Sequence, residues 1–383
     1  RGFYKLKNQY PQISPDMILT ILNTVLIVAG ISGFLALMLV IADFFFANYG
    51  ECKININNKK EIVVKGGNSL LSTLNEQKIF LPSACGGRGS CGFCKCKITS
   101  GGGPLLPTEK PFLSSDEIDN NIRLSCQVKV KEDIEIQIPE NIFNIRKFKA
   151  KVTKIKDMTH DIKEITFKLI EPIEINFKAG QYMQLASPRY AKVRQSISRA
   201  YSISSCPDHT NFIELIIRKV PEGICTTWVH EYLKVGDEVN LTGPFGDFYI
   251  RETKADMLFV AGGSGKAPIK SMLEFLMKRN STRRMSYFFG AQRRKELYHT
   301  EMFEKLEKEM YDFKYYPVLS QPTEACEWDG RCGYVLPFFD EFIKDPKNTE
   351  AYLCGSPGMI AAVVKDLIKR GIPEEKIYYD SFA

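Results

Sequence analysis

Several sequence signatures are missing from this chain of 383 residues, and each absence narrows its function. Basic residues exceed acidic residues by only seven charges, and they do not gather into a stripe, so nucleic-acid binding is not expected. The strict dinucleotide fingerprint G-x-G-x-x-G is absent. A P-loop is also absent, because Val260 stands where its first glycine belongs and Ala267 follows the lysine in place of serine or threonine. Hydrolysis of ATP or GTP is therefore not expected.

The cysteines lack the pattern of a disulfide-stapled protein. There are eleven of them, scattered along a long chain, whereas a secreted disulfide scaffold is short and has an even count. We therefore expect reduced thiols and folded domains that lie in the cytoplasm.

Charge is absent from one stretch near the N-terminus, "MILTILNTVLIVAGISGFLALMLVIA", which lies between Asp16 and Asp43. About 20 apolar residues suffice to cross a bilayer, so we predict a transmembrane helix at residues 16–43 after an N-terminal segment at residues 1–15. A cleaved signal peptide would have a shorter apolar region, and a buried core helix is the remaining alternative. Lysine and arginine are about equally frequent on both flanks, so the positive-inside rule leaves the orientation open.

The stretch "SACGGRGSCGFCKCK" at residues 83–97 is rich in glycine and cysteine. Cys85, Cys91 and Cys94 form a close trio, and Cys126 lies far downstream. A structural zinc site favours paired Cys-x2-Cys knuckles. Three close cysteines and one remote cysteine are typical of a [2Fe–2S] ferredoxin of the plant type, whose spacing is Cys-x4-Cys-x2-Cys. This chain has five residues in place of four in the first gap. The glycines let the loop wrap tightly and point N–H groups at sulfur. We predict that these four cysteines hold a [2Fe–2S] cluster.

The flanks of this loop favour a ferredoxin fold. "ECKININNKKEIVVK" predicts a hairpin that turns near its two asparagines, "SLLSTLNEQ" a short helix and "DIEIQIP" a strand. We therefore predict a β-grasp ferredoxin domain at residues 50–142. Cys96 and Cys52 are expected to be bystanders to the cluster.

After Ile145, short strands separated by turn residues predict a small antiparallel β-barrel at residues 146–252. It contains "RAYSIS", in which Arg199 could grip a pyrophosphate, Tyr201 could stack on an isoalloxazine ring and Ser202 could bond near the flavin N5. "GICTTW", which starts at Gly223, places N–H groups and hydroxyls near the start of a helix and could cradle a phosphate. Together with "GPFG" further along the chain, these motifs predict a flavin site.

Strand–turn–helix units fill residues 255–383, which predicts an α/β domain with a parallel sheet and ligands at the carboxyl ends of its strands. "AGGSGKAP" offers a short glycine turn at a helix N-terminus, suited to a pyrophosphate. "CGSPGM" is a second such turn, and Cys354 at its start could lie against a nicotinamide ring.

The motifs "RAYS", "GICTT", "GPFG", "AGGSGKAP" and "CGSPGM", in this order, resemble the ferredoxin–NAD(P)+ reductase superfamily. With a ferredoxin domain and a membrane helix ahead of them, the chain is most similar to the family of F subunits of Na+-translocating NADH:quinone reductases. The Cys-x5-Cys-x2-Cys spacing, "SGGGPLLPTE" and the closing "YYDSFA" fit that family. The resemblance covers nearly the whole chain.

The resemblance implies roles for individual positions. Tyr201, Ser202, Cys354 and Phe382 would be catalytic, and Phe382 would cover the flavin until nicotinamide displaces it. Residues expected to bind cofactor in or next to the barrel are Arg199, Tyr201, Ser202, Arg218, Gly223, Ile224, Cys225, Thr226 and Thr227. Residues expected to bind NADH in the last domain are Gly262, Gly263, Ser264, Gly265, Ala267, Pro268, Gln292, Arg293, Cys354, Gly355, Ser356 and Pro357.

The same resemblance implies an NADH-oxidising enzyme that passes electrons from NADH to FAD, to the [2Fe–2S] cluster and to integral-membrane subunits of a respiratory, Na+-translocating complex. Its location would be the inner membrane, spanned once, with the C-terminal domains in the cytoplasm. Only "ASPRYAKVRQSIS" separates "GQYMQL" from "RAYS", where members of that family carry a long insertion. This compact flavin domain leaves open a stand-alone, membrane-anchored reductase that supplies an oxygenase or another soluble acceptor. A redox-sensing scaffold without turnover is a third interpretation.

Overall fold

A long apolar helix precedes three folded units in the computed structural model, which describes residues 15–46, 49–83, 85–323 and 328–381. The helix, α1 (Pro15–Phe46), contains the predicted membrane segment. Its stretch Leu19–Ile41 is long and apolar enough to cross a membrane, and no part of that stretch is buried inside the protein. Within the described residues, this segment is therefore not a buried core helix.

The first folded unit has the β-grasp architecture predicted for it. Its elements are β1 (Glu51–Ile56), β2 (Lys60–Lys65), α2 (Leu70–Glu76), β3 (Lys95–Ser100), α3 (Ser115–Asp119), β4 (Ile122–Leu124) and β5 (Ile134–Gln137). The sheet order is β2-β1-β5-β3-β4, in which β1 and β5 run parallel. Asn57 and Asn58 form the hairpin turn with φ of 56° and 54°, the left-handed conformation that asparagine tolerates and this turn requires.

The second unit is an antiparallel barrel. Its elements are β6 (Arg146–Asp157), β7 (Ile162–Glu171), β8 (Tyr182–Ser187), β9 (Ile197–Ser202), β10 (Phe212–Arg218), α4 (Ile224–Glu231) and β11 (Glu238–Phe245). The order is β10-β7-β6-β11-β8-β9. A bridge between Ile203 and Leu215 links the end of β9 to β10, so the two edges meet and the sheet closes.

The third unit is a parallel sheet with helices packed on it. Its elements are β12 (Asp256–Gly262), α5 (Lys266–Lys278), β13 (Met285–Ala291), α6 (Thr300–Glu309), β14 (Phe313–Leu319), β15 (Arg331–Cys332), β16 (Thr349–Gly355), α7 (Pro357–Lys369) and β17 (Ile377–Ser381). The order is β15-β14-β13-β12-β16-β17, parallel throughout. Residues 257–261 of β12 are buried without a break, as expected of a strand covered on both faces.

Candidate functional site

The four predicted cluster cysteines lie together as two contacting pairs. The sulfur atoms of Cys85 and Cys91 are 3.3 Å apart, and the thiols of Cys94 and Cys126 form the second hydrogen-bonded pair. In the described ranges, no three His, Cys, Asp or Glu side chains are grouped as one metal ion would need them. Two pairs of thiols fit a binuclear cluster, which takes two ligands on each iron.

Backbone geometry around these sulfurs also suits an anionic cluster. Four loop glycines, Gly86, Gly87, Gly89 and Gly92, have φ between 70° and 87°, so the chain can wrap and turn its N–H groups inward. Burial raises the pKa of the Cys85 thiol, but hydrogen bonds from the Ser90 backbone and from other loop groups outweigh it and lower that pKa to about 6. A lowered pKa favours the thiolate, which is the form that binds iron.

Cys96 and Cys52 lie apart from these pairs, as expected of bystanders. Cys96 is 3% exposed in the core of the ferredoxin unit, near the ion pair of Arg123 and Glu109. That pair joins Nη2 to Oε2 across 2.6 Å, and both side chains are buried. Arg123 also donates to the carbonyls of residues 102–104, so it holds the "GGGP" segment in place.

The flavin-site predictions fall on strand β9, where the structure leaves polar groups available for a ligand. Arg199 donates to the carbonyl of Ser198 across 2.8 Å, and none of the ion pairs in the described ranges involves it. The buried Tyr201 hydroxyl lies against the Cys225 thiol, and no nitrogen or oxygen atom of the described residues bonds to it. A thiol is a weak hydrogen-bond partner, so this hydroxyl fits a site that a polar cofactor completes.

The predicted phosphate cradle lies at the start of α4. Gly223 precedes the helix, and no side chain caps the first N–H groups, which helix geometry leaves unpaired and pointing outward. A Cβ on Gly223 would lie 2.4 Å from Oγ1 of Thr226, so a larger residue there would displace the Thr226 side chain. Thr226 Oγ1 accepts from the Val220 N–H across 3.2 Å and shapes the loop. The N–H groups of Ile224, Cys225 and Thr226, beside Thr227, are thus free to bind a phosphate.

The two predicted NADH turns are neighbours because β12 and β16 pair in parallel. A Cβ on Gly265 would lie 2.2 Å from the carbonyl oxygen of Cys354, so glycine allows the turns to touch. Gly263 adopts φ +56°. Ser356 caps α7 by accepting from the Met359 N–H across 3.4 Å. The turns therefore form one cradle, with Gly262 and Ser264 on one side and Gly355 and Pro357 on the other. The predicted residues Ala267 and Pro268 are instead buried in α5.

Lys266, which made the first turn look like a P-loop, points into the core. Its side chain is fully buried, and its ammonium lies 3.6 Å from the ring centroid of Phe289 and 4.4 Å from that of Tyr298. Burial lowers the pKa of this lysine well below its usual value. An inward side chain cannot reach a phosphate in the cradle, which agrees with the missing P-loop pattern.

Four predicted site residues lie outside the strand and turns described so far. Arg218 lies beside the first turn, with Nη1 3.5 Å from where a Cβ on Gly263 would stand, but Asp161 holds its Nε at 2.6 Å. Gln292 and Arg293 follow β13 and are exposed. Phe382 lies outside the described residues.

One acidic residue that sequence reasoning missed joins the barrel to the last unit. Ser202 donates from Oγ to Oδ2 of Asp380 across 3.3 Å, and Asp380 pairs in register with Cys354. Burial raises the pKa of Asp380, and the Ser202 hydrogen bond opposes that rise. Burial, and then the charge of Asp380, raise the pKa of Cys354. The closing "YYDSFA" carried the only available signal, a carboxylate on the strand beside the second turn.

Comparisons with known proteins agree with this division into three units. Residues 54–131 match the 2Fe-2S iron-sulfur cluster binding domain, residues 149–250 the oxidoreductase FAD-binding domain, and residues 259–365 the oxidoreductase NAD-binding domain. These matches confirm the predicted cofactor classes. The chain is therefore an oxidoreductase with sites for a [2Fe–2S] cluster, FAD and NAD.

Solved structures with this arrangement include two reductases. The chain is 26% identical to a cytochrome P450 reductase of Amycolatopsis, covering 86% of this chain and 98% of that one, with a TM-score of 0.71. It is 25% identical to the ferredoxin reductase in carbazole 1,9a-dioxygenase, covering 87% and 99%, with a TM-score of 0.66.

Curated relatives resemble the chain over nearly its full length. The F subunit of the Na(+)-translocating NADH-quinone reductase of a Marinomonas species is 34% identical and covers 93% of this chain and 98% of its own. The corresponding F subunit of Psychrobacter cryohalolentis is 35% identical, covering 92% and 96%. The chain belongs to the family of F subunits of Na(+)-translocating NADH-quinone reductases.

Proposed function

We propose that this protein is the membrane-anchored electron-input subunit of a respiratory complex, which oxidises NADH and delivers electrons to an integral-membrane partner. The hydrogen bond between Ser202 and Asp380 carries the proposal, because it joins the predicted flavin strand to the strand beside Cys354. NADH in the two-turn cradle would thus meet a flavin on β9. Bound FAD supplies the conversion of hydride into single electrons, and the [2Fe–2S] cluster supplies a one-electron carrier.

The residues of the chain have separate tasks in this scheme. Arg199 and the free N–H groups of α4 bind the flavin pyrophosphate, and Tyr201 lines the flavin pocket. Ser202 holds a proton at Oγ, and Asp380 fixes the direction of that O–H bond. Cys354, buried at the end of β16, packs where the nicotinamide ring is expected and keeps water away from it.

The position of the ferredoxin unit favours an acceptor in the membrane. Only residues 47 and 48 separate the end of α1 from Tyr49, and Tyr49 packs on the core of the ferredoxin unit. If α1 spans the membrane, this short connection keeps the cluster-bearing unit close to the membrane surface. Electrons leaving the cluster would there meet integral-membrane subunits. The relatives are named for quinone reduction and Na+ translocation, and we propose the same role for the complex that contains this chain.

Two further parts of the proposal follow from the cofactors. NADH is a cytoplasmic substrate, so the three folded units are placed on the cytoplasmic face of the inner membrane, with α1 crossing it once. Cys85, Cys91, Cys94 and Cys126 are the proposed cluster ligands.

A stand-alone reductase is the second candidate. The two solved structures compared above belong to reductases named for a cytochrome P450 and a dioxygenase, and each aligns with more than four-fifths of this chain. Such a protein would use the same three cofactors but deliver electrons to a soluble acceptor.

The composition of the native assembly distinguishes the two candidates. We would extract native membranes with a mild detergent, separate NADH-oxidising species by size and identify their subunits. A large assembly with other integral subunits is expected, and its NADH oxidation should then be tested for dependence on Na+. A particle that contains one or two copies of this chain alone would contradict the complex and support a soluble acceptor.

A further inference from the structure

The ferredoxin unit and the barrel are joined at the start of the cluster loop. Gln184, on strand β8, donates from Nε2 to the carbonyl oxygen of Ser83 across 2.7 Å. Ser83 stands two residues before Cys85, and its Oγ accepts from the Gly87 N–H across 2.9 Å. One side chain of the barrel is therefore bonded to the residue that also shapes the first turn of the cluster loop.

Apolar packing extends this contact. Phe245, the last residue of β11, is 2% exposed and packs within the core of the ferredoxin unit. Tyr182 packs against the same core and stacks on Phe245, with ring centroids 5.4 Å apart and an angle of 25° between the rings. Lys147 places its ammonium 5.1 Å from the ring centroid of Phe80. Burial of an aromatic residue from one unit in the core of the other makes this contact a packed interface.

Tyr182 also lies beside the predicted flavin strand. It pairs in register with Ser202 across β8 and β9, while its ring packs on the ferredoxin core. One residue thus links the core of the ferredoxin unit to the strand that carries the predicted flavin residues.

We propose that Tyr182 and Gln184 are positioning residues that hold the cluster loop against the flavin strand, so that electrons pass from flavin to cluster in this docked arrangement. The inference rests on the proposed function, in which NADH reduces the flavin and the flavin reduces the cluster. In each transfer the flavin loses one electron and the cluster gains one. Tyr182 and Gln184 form and break no bond, and their role is to fix the distance between donor and acceptor.

The test compares three variants with the wild-type holoenzyme. Tyr182→Leu removes the stacked ring, Tyr182→Phe keeps the ring and loses the hydroxyl, and Gln184→Leu removes the bond to Ser83. Tyr311→Leu, at a residue that is 80% exposed, is the matched control. Anaerobic stopped-flow absorbance would follow flavin bleaching and cluster reduction separately after mixing with NADH.

In Tyr182→Leu, flavin bleaching should stay within about twofold of wild type, and cluster reduction should slow by about ten- to a hundredfold, since small misplacements cost large factors in rate. Gln184→Leu should likewise slow cluster reduction more than flavin bleaching, but by a smaller factor. Both rates of Tyr182→Phe should stay near those of the wild type. Hydrogen exchange in the holoenzyme should rise at residues 80–83 and 182–186 in Tyr182→Leu, while the electron paramagnetic resonance spectrum of its reduced cluster stays unchanged.

Cluster reduction at the wild-type rate in both Tyr182→Leu and Gln184→Leu would overturn the proposal, as would unchanged hydrogen exchange in the two segments. If Tyr182→Leu does not retain FAD, the same assays on Gln184→Leu test the proposal. A wild-type rate of cluster reduction in that variant then overturns it. A failure of the proposed function looks different, because the wild-type cluster would then stay oxidised with NADH.

Discussion

Ser202 and Asp380, 178 positions apart in the chain, share a hydrogen bond of 3.3 Å between Oγ and Oδ2. It connects the end of a barrel strand to the last strand of the parallel sheet, where Asp380 lies opposite Cys354. The two domains that would present a flavin and a nicotinamide to each other therefore meet at a polar contact. Its first consequence concerns the rate of hydride transfer.

Replacing Asp380 by Asn should slow NADH-dependent flavin bleaching by about a hundredfold, the usual contribution of a group that positions a proton. Ser202→Ala should have a similar effect, and the double variant should be little slower than either single variant, because the pair acts as a unit. Stopped-flow bleaching at saturating NADH measures this step. Additive losses in the double variant would contradict a shared role.

The same Asp380→Asn change should stabilise the protein near neutral pH. Burial raises the pKa of Asp380 above its ordinary 3.8, so the folded state retains the proton over a pH range in which the unfolded state has released it. The free energy of unfolding of the wild-type protein therefore falls as pH rises from 3.8 through the pKa of Asp380 in the folded state. Above that pKa the folded protein carries the full free-energy cost of the buried charge. We expect the variant to be the more stable protein at pH 7 and this gain to disappear in acid. Urea unfolding of both proteins at several pH values measures the gain, and Asp119→Asn, an exposed acid, is the control.

Cys94→Ser should abolish the cluster signal and spare the flavin. One thiol of a contacting pair is lost, so one iron would lack a ligand, whereas the barrel and the NADH cradle are untouched. NADH should still bleach the flavin. Cys96→Ser, two residues further on, should keep the cluster. Iron content and the electron paramagnetic resonance spectrum of the reduced protein measure both variants, and a normal cluster in Cys94→Ser would show that the ligands are misassigned.

Gly265→Ala should weaken NADH binding because its Cβ would stand 2.2 Å from the backbone oxygen of Cys354, so the two turns must separate. We expect KM for NADH to rise by about tenfold or more. Flavin content should not change. The control, Gly358→Ala, lies in the first turn of α7, where an added Cβ meets nothing within 4 Å. Equal KM values for the two variants would argue against the two-turn cradle.

Glu109→Gln should destabilise the ferredoxin unit by about 3 kcal/mol, since Arg123 would remain buried without its ion-pair partner. Burial alone would raise the pKa of Glu109, but hydrogen bonds from Arg123 and from two backbone N–H groups outweigh it and lower that pKa. The contribution of ionised Glu109 to the free energy of unfolding is therefore fully present above its ordinary pKa of 4.5. This contribution is lost as pH falls through the lowered pKa of Glu109 in the folded state. Thermal unfolding, monitored by the loss of cluster absorbance, measures the change. Equal stability of the variant and the wild type would contradict a stabilising role for the ion pair.

Local patterns in the sequence predicted most of these features, because they depend on neighbouring residues. Alternation predicted β5, two asparagines predicted the turn of the hairpin that contains β1, and cysteine spacing, supported by the glycines, predicted the cluster loop. The contacts of Asp380 and Gln184 could not be predicted, because they depend on which strands become neighbours in space. Lys266 illustrates the same limit, since its sequence context gives no sign that its side chain points inward among aromatic rings.

An anaerobic titration of the purified full-length holoenzyme with NADH tests the central claim most directly. Flavin absorbance and the electron paramagnetic resonance signal of the reduced cluster would be recorded at each addition. We predict that NADH bleaches the flavin and that the cluster signal grows to about one reduced cluster per chain. A flavin that bleaches while the cluster stays oxidised, or a flavin that does not respond to NADH, would contradict the account.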